Sequence, residues 1–171
     1  VLTIVGADRP GLVEAVAGVL RAHGANWMES RMSRLASQFA GILLVSVPSD
    51  RLDALRDDLA KLAEEGLAVT VRESGAELVD QPMHAIRLAL TGQDRPGIVH
   101  QIAHLLAEEG VSIEQLETRC VSASWSGETT FEAQALLRAP PGLPTATLLG
   151  MLERLGNELM VDIDLQEARG D

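Results

Sequence analysis

The chain of 171 residues carries 14 basic against 25 acidic side chains, a net charge of −11, and is 46% hydrophobic. That is the composition of a folded protein rather than a disordered one. Its acidity excludes unaided nucleic-acid binding, which needs a basic footprint to neutralise phosphates; Arg31 and Arg34 on one short segment are too little. The second half is the more acidic, with 6 basic and 13 acidic residues over 84–171. One cysteine, Cys120, permits no internal disulfide and fits a reducing cytoplasm; on its strand it is expected to be half-buried. No apolar run approaches the ~20 residues of a membrane span, and no basic-then-apolar signal segment is present. The chain begins at Val1 rather than Met, which leaves room for native residues ahead of it.

In chain order, Val1 to Val5 reads as a first strand ending at Gly6. Leu12, Val13, Val16, Val19 and Leu20 recur at helical spacing, with Gly24 as the stop. Pro10 suits the first helical turn, and Asp8 is placed to cap free backbone N–H groups. Asn26 to Leu35 is a second strand and Phe39 to Val47 a third, closed by Pro48. Leu52, Leu55, Leu59 and Leu62 share one helical face, Gly66 ends that helix, and Leu67, Val69 and Val71 alternate as a fourth strand. Segment 74–83 is a linker.

The order then repeats. Ile86, Leu88 and Leu90 alternate in a strand; Ile98, Ile102, Leu105 and Leu106 face one side of a helix closed by Gly110. Ile113 to Val121 and Thr129 to Leu137 form a strand pair joined through Ser126-Gly127, and Ala139-Pro140-Pro141-Gly142 breaks the chain. Leu148, Leu152, Leu155 and Leu159 mark a last helix before the strand of Val161, Ile163 and Leu165. The tetrapeptide Asp8-Arg9-Pro10-Gly11 recurs as Asp94-Arg95-Pro96-Gly97, and the flanking Gly6, Val13, Ala17, Leu20 and Gly24 match Gly92, Val99, Ala103, Leu106 and Gly110 without a gap. This is an internal duplication. It predicts two α+β modules, 1–73 and 84–171, each a βαββαβ antiparallel sheet with both helices on one face.

The doubled turn is where chemistry enters. A helix N-terminus presents unpaired N–H groups and the positive end of the helix dipole, and a glycine there lets a carboxylate or phosphate approach the backbone. The pattern is neither a dinucleotide fingerprint nor a P-loop, and a turn-and-cap role alone is the competing reading. Together, Gly-x-Asp-Arg-Pro-Gly-Leu/Ile-Val, an apolar helix and Gly-x-Asn/Ser resemble the ACT domain, and Met32-Ser33-Arg34-Leu35 followed by Phe39-Ala40-Gly41-Ile42-Leu43 strengthens the likeness. Two modules with nothing attached resemble the glycine cleavage system transcriptional repressor group.

The resemblance implies a ferredoxin-like fold and amino-acid binding at an interface between modules or subunits. Turn amides take the ligand carboxylate, and a polar residue at the start of strand two helps hold the amino end. Carried onto this chain, those positions are Asp8, Arg9, Pro10, Gly11, Leu12 and Asn26 in the first module. In the second they are Asp94, Arg95, Pro96, Gly97, Ile98 and Ser112. Ser112 has a shorter reach than the Asn common in the family and lacks its paired amide donor and acceptor, so the first site is expected to be the stronger. Asp8 and Asp94 have helix capping as a competing role, Arg9 and Arg95 solvation, and Asn26 a turn role after Gly24.

Other constellations weigh less. His100 and His104 share a helix face, but the metalloprotease glutamate and a third zinc ligand are missing, so no metal or cofactor is expected. Ser30, Ser33, Ser37, Ser122, Ser124 and Ser126 sit in no nucleophile elbow, and the Glu-Glu pairs 64–65 and 108–109 read as solvated helix ends. The run Ile42-Leu43-Leu44-Val45 is apolar on both faces, which calls for covering of both and suggests packing between modules or in a homodimer. The sequence thus points to a cytoplasmic, non-catalytic regulator that binds a small amino acid, glycine among the candidates, and acts through a protein partner such as a DNA-binding regulator. The alternative is a detached regulatory subunit of an amino-acid metabolic enzyme.

Overall fold

The computed structural model describes residues 1–73, 83–122 and 129–168, which form two compact units, Val1–Ala76 and Glu77–Asp171. Residues of the expected linker at 74–82, and the Ser126-Gly127 turn with Ser124, lie outside the described residues. The first unit runs β1 (Leu2–Ala7), α1 (Leu12–Ala22), β2 (Asn26–Leu35), β3 (Gln38–Ser46), α2 (Leu52–Lys61) and β4 (Leu67–Val71). The second runs β5 (His84–Gln93), α3 (Ile98–Glu108), β6 (Ser112–Ser122), β7 (Thr129–Ala139), α4 (Thr145–Leu159) and β8 (Val161–Glu167). The sheets have strand orders β2-β3-β1-β4 and β6-β7-β5-β8, with antiparallel pairing throughout. The expected α+β class and βαββαβ order are both present.

Alternation decides the packing. In β1, Leu2 and Ile4 are fully buried while Thr3 and Val5 point to the other face. They join Leu12, Val16 and Leu20 of α1, Leu55 and Leu59 of α2, Leu43 and Leu67 in one core. The second core is built alike from Ile86, Leu88, Leu90, Ile98, Ile102, Leu106, Leu137, Leu148 and Leu152. Burying each such side chain stabilises the fold by about 1.5–3 kcal/mol before conformational entropy is charged against it. Leu43 faces the helices, whereas Ile42 and Leu44 remain 58% and 41% exposed on the open face, so the apolar run splits by strand alternation.

The duplication extends to irregularities. Both second strands carry a bulge at the same place, between Trp27 and Glu29 and between Ile113 and Gln115. Gly6 and Gly92 sit where β1 and β5 cross the start of the last strand of each unit. A Cβ on Gly6 would stand 2.5 Å from the Gly66 carbonyl oxygen, and one on Gly92 would stand 2.7 Å from that of Met160. Among the described residues, no helix is long and apolar enough to cross a membrane.

Candidate functional site

Each tetrapeptide lies between the first strand and first helix of its unit, and glycine sets its geometry. Gly11 is the N-cap of α1 at φ 92°, ψ −5°, and its carbonyl accepts the first helical bond from Ala15 N–H at 2.9 Å. Gly97 does the same for α3 at φ 97°, ψ −6°, with Gln101 N–H at 3.0 Å. No side chain caps either helix, so the first-turn N–H groups keep no intrahelical partner. A Cβ on Gly11 would meet nothing within 4 Å, and one on Gly97 only the Gln101 Nε2 at 3.6 Å. The approach to both sets of amides is therefore open, and Gln101 adds an amide beside the second. Leu12 and Ile98 send their side chains into the cores, so only their backbone can serve a ligand.

Three expectations need correction here. Asp8 and Asp94 do not cap the helices, because the left-handed glycine occupies the cap position three residues later. The Asp8 carboxylate instead forms an ion pair with Arg34, Oδ2 to Nε 2.6 Å, across the end of β2. Pro10 and Pro96 precede the N-caps and so lie before the helices rather than in their first turns. Cys120 is exposed rather than half-buried. It occupies the position in β6 that Arg34 holds in β2, and its thiol donates to Asp94; partial desolvation and that carboxylate hold the thiol above the usual cysteine pKa.

The two turn arginines also part company. Arg9 Nη2 donates to the Glu65 carbonyl at 3.0 Å and lies 3.6 Å from the Glu65 carboxylate, so it is held rather than simply solvated. In the second unit Leu159 stands at the corresponding place before β8, and no carboxylate is offered. Arg95 Nη2 is buried and has no hydrogen-bond partner among the described residues. An unsatisfied buried donor costs about 1–3 kcal/mol, a cost that an acceptor brought by a ligand would remove.

Asn26 and Ser112 lie far from these turns. Leu35 pairs with Gln38, which also pairs with Ala7 beside Asp8, whereas Asn26 pairs with Ser46 at the opposite end of β2. Asn26 opens and Leu35 closes the ten-residue β2, so Asn26 lies roughly 30 Å from the turn end. Asn26 Nδ2 contacts Met28 Sδ at 3.3 Å, and the residue lines a shallow depression with Leu20, Arg21, Gly24 and Trp27. Gly11 lines a different one with Arg9, Glu14, Gly18 and Glu65. One small ligand cannot touch both ends of a single module. Ser112 is likewise at the far end of β6, paired with Arg138, whose Nε donates to Glu114 at 3.0 Å.

His100 and His104 stack on the exposed side of α3 with ring centroids 6.2 Å apart, and His104 Nε2 lies 3.5 Å from Glu108. Among the described residues, no three His, Cys, Asp or Glu side chains come together as a metal set.

A family model described as ACT domain matches residues 1–74. A UPF0237 protein of Methanopyrus kandleri is 36% identical over 89 residues, covering 50% of this chain and 96% of that protein. The glycine cleavage system transcriptional repressor of Escherichia coli is 23% identical over 160 residues, covering 93% of this chain and 84% of the repressor. Among solved structures, an unknown protein from Galdieria sulphuraria superposes with TM-score 0.83 at 30% identity, covering 98% of this chain and 96% of that one.

Proposed function

Residues 1–74 match the ACT-domain family model, and from that premise we propose that the chain is a non-catalytic regulator that binds a small amino acid and controls a protein partner. The observation that carries this reading is the doubled glycine-capped turn, with uncapped amides open to solvent at both helix starts. The α-carboxylate of the ligand docks on those amides, drawn by the helix dipole. Of the two copies, the second is the readier: Arg95 has an unpaired buried nitrogen and Gln101 adds a donor, whereas Arg9 is engaged by Glu65. This reverses the order expected from Asn26 and Ser112.

Because Asn26 and Ser112 stand at the far end of their own modules, the amino end of the ligand needs a strand start supplied by another ACT module. In a homodimer a second copy of the chain provides it. The apolar open face of the first sheet, with Val5, Ile42 and Leu44 exposed, supports such an assembly. The relationship to the Escherichia coli repressor supports glycine as ligand and a DNA-binding regulator as partner, since the net charge of −11 disfavours direct contact with nucleic acid.

A thermal-shift panel of amino acids tests the proposal. Binding to the folded state adds ~2.7 kcal/mol at 100 times Kd, so a cognate ligand raises Tm by several degrees. A panel in which no amino acid shifts Tm at millimolar concentration refutes the sensor reading.

A further inference from the structure

The open faces of the two sheets differ in kind. In the second unit the strand register aligns three rows across β6, β7, β5 and β8. The middle row reads Glu117, Gln134, Ala89, Asp164, and the row beside it Gln115, Leu136, Arg87, Gln166. These residues line a trough of about 370 Å³, floored by the small side chain of Ala89. The corresponding middle row of the first unit is Arg31, Ile42, Thr3, Thr70, which has no carboxylate. The trough is therefore a feature of the second unit and not of the duplicated scaffold.

Its charges are arranged and available. Neither Arg87 nor Glu117 has a hydrogen-bond or ion-pair partner among the described residues. Asp164 is oriented by Gln166, whose Nε2 donates to Asp164 Oδ2 at 2.8 Å. At the far end Arg119 and Glu132 neutralise each other at 2.6 Å, and Asp162 stands in that outer row beyond the trough, which leaves one cation and two anions lining the trough itself. Glu117 and Asp164 stand on strands three spacings apart, about 14 Å between backbones. Both line the trough, one on each outer strand, a separation that suits an extended small molecule with a positive group at each end.

We propose that this trough binds a basic α-amino acid. The α-carboxylate pairs with Arg87, the α-ammonium with Asp164, and the distal cation with Glu117 across Gln134. A ligand of net charge +1 then matches the net −1 of the trough. The site is separate from the helix-start turns and stands whether or not those bind.

Calorimetric titration of the full chain with L-arginine tests it, with L-glutamate as the mismatched probe. L-arginine binds wild type, and L-glutamate binds at least about tenfold more weakly, the scale of one misplaced charge-assisted contact. Arg87→Ala and Asp164→Asn, both at solvent-facing positions, each weaken L-arginine about tenfold, while Gly150→Ala, on α4 with open space around it and outside both candidate sites, leaves it unchanged. Absence of L-arginine binding to wild type overturns the proposal. So does binding that survives both trough variants; if Gly97→Ala then abolishes it, the ligand sits at the turn and the sensor reading stands without the trough.

Discussion

Substitution of Gly97 by alanine separates what the turn does for the fold from what it does for a ligand. At φ 97° an L-residue carries a backbone penalty of about 1–2 kcal/mol. Restricting the unfolded chain returns about 0.4–1 kcal/mol. The added methyl contributes no clash of its own, since the nearest atom would be the Gln101 Nε2 at 3.6 Å. At the middle of those ranges the net loss is about 0.8 kcal/mol, a fall of a few degrees in Tm for a module of this size. Gly110→Ala is the matched control. Gly110 also has positive φ, at 69°, with open space around it, but it follows the other end of α3. Both variants should lose similar stability in chemical denaturation. Only Gly97→Ala should lose the ligand-induced rise in Tm, because its methyl occupies the path of the carboxylate to the amides. Equal ligand-induced rises in the two variants would refute the assignment of the turn as the carboxylate site. Wild-type stability in Gly97→Ala would refute the need for a left-handed cap.

Other consequences are independent of any ligand. On α4, Gly150 has open space where a Cβ would go, so Gly150→Ala should stabilise by roughly 0.5–1 kcal/mol through helix propensity; Gly156→Ala, whose Cβ would stand 2.8 Å from the Val161 carbonyl oxygen, should destabilise in the same urea titration. Gly92→Ala should destabilise by about 1–3 kcal/mol, because its Cβ would meet the Met160 carbonyl at 2.7 Å. Asp58 accepts from Lys61 at 2.6 Å and pairs with His23 at 2.7 Å, and these contacts, Lys61 first, hold its pKa below 3.8. A carboxylate depressed in the folded state adds stability above its unfolded pKa and loses it as pH falls through the folded value. Asp58→Asn should therefore lower the denaturation midpoint near neutrality and flatten its acid dependence below pH 3.8; an unchanged acid limb would count against the pair.

The scaffold was legible because it is written twice. Hydrophobic periodicity marked every strand and helix, and the gapless match from Gly6 to Gly24 with Gly92 to Gly110 fixed the two-module order. What escaped was local and depended on contacts distant in sequence. Asp8 looks like a cap until β2 brings Arg34 to it. The exchange of Arg34 for Cys120 could have been read from the repeat, but its meaning required Asp94 to lie beside that position. The contrast between Arg9 and Arg95 was hidden because Glu65 and Leu159 correspond only after the longer second module is aligned through its last strand. Asn26 follows its turn closely in sequence, yet one helix and the length of the sheet carry it to the opposite end. The polar trough was invisible for a similar reason: its middle row draws one residue from each of four strands.

The most direct test of the central claim is amide chemical-shift mapping of the full chain during titration with a non-basic amino acid selected by the thermal panel, which the trough of the second sheet does not take. The amides of Gly97, Ile98 and their neighbours in the first turn of α3 should move together and saturate, with a weaker response at Gly11 and Leu12. Saturating shifts elsewhere, with both turns unmoved, would contradict the account.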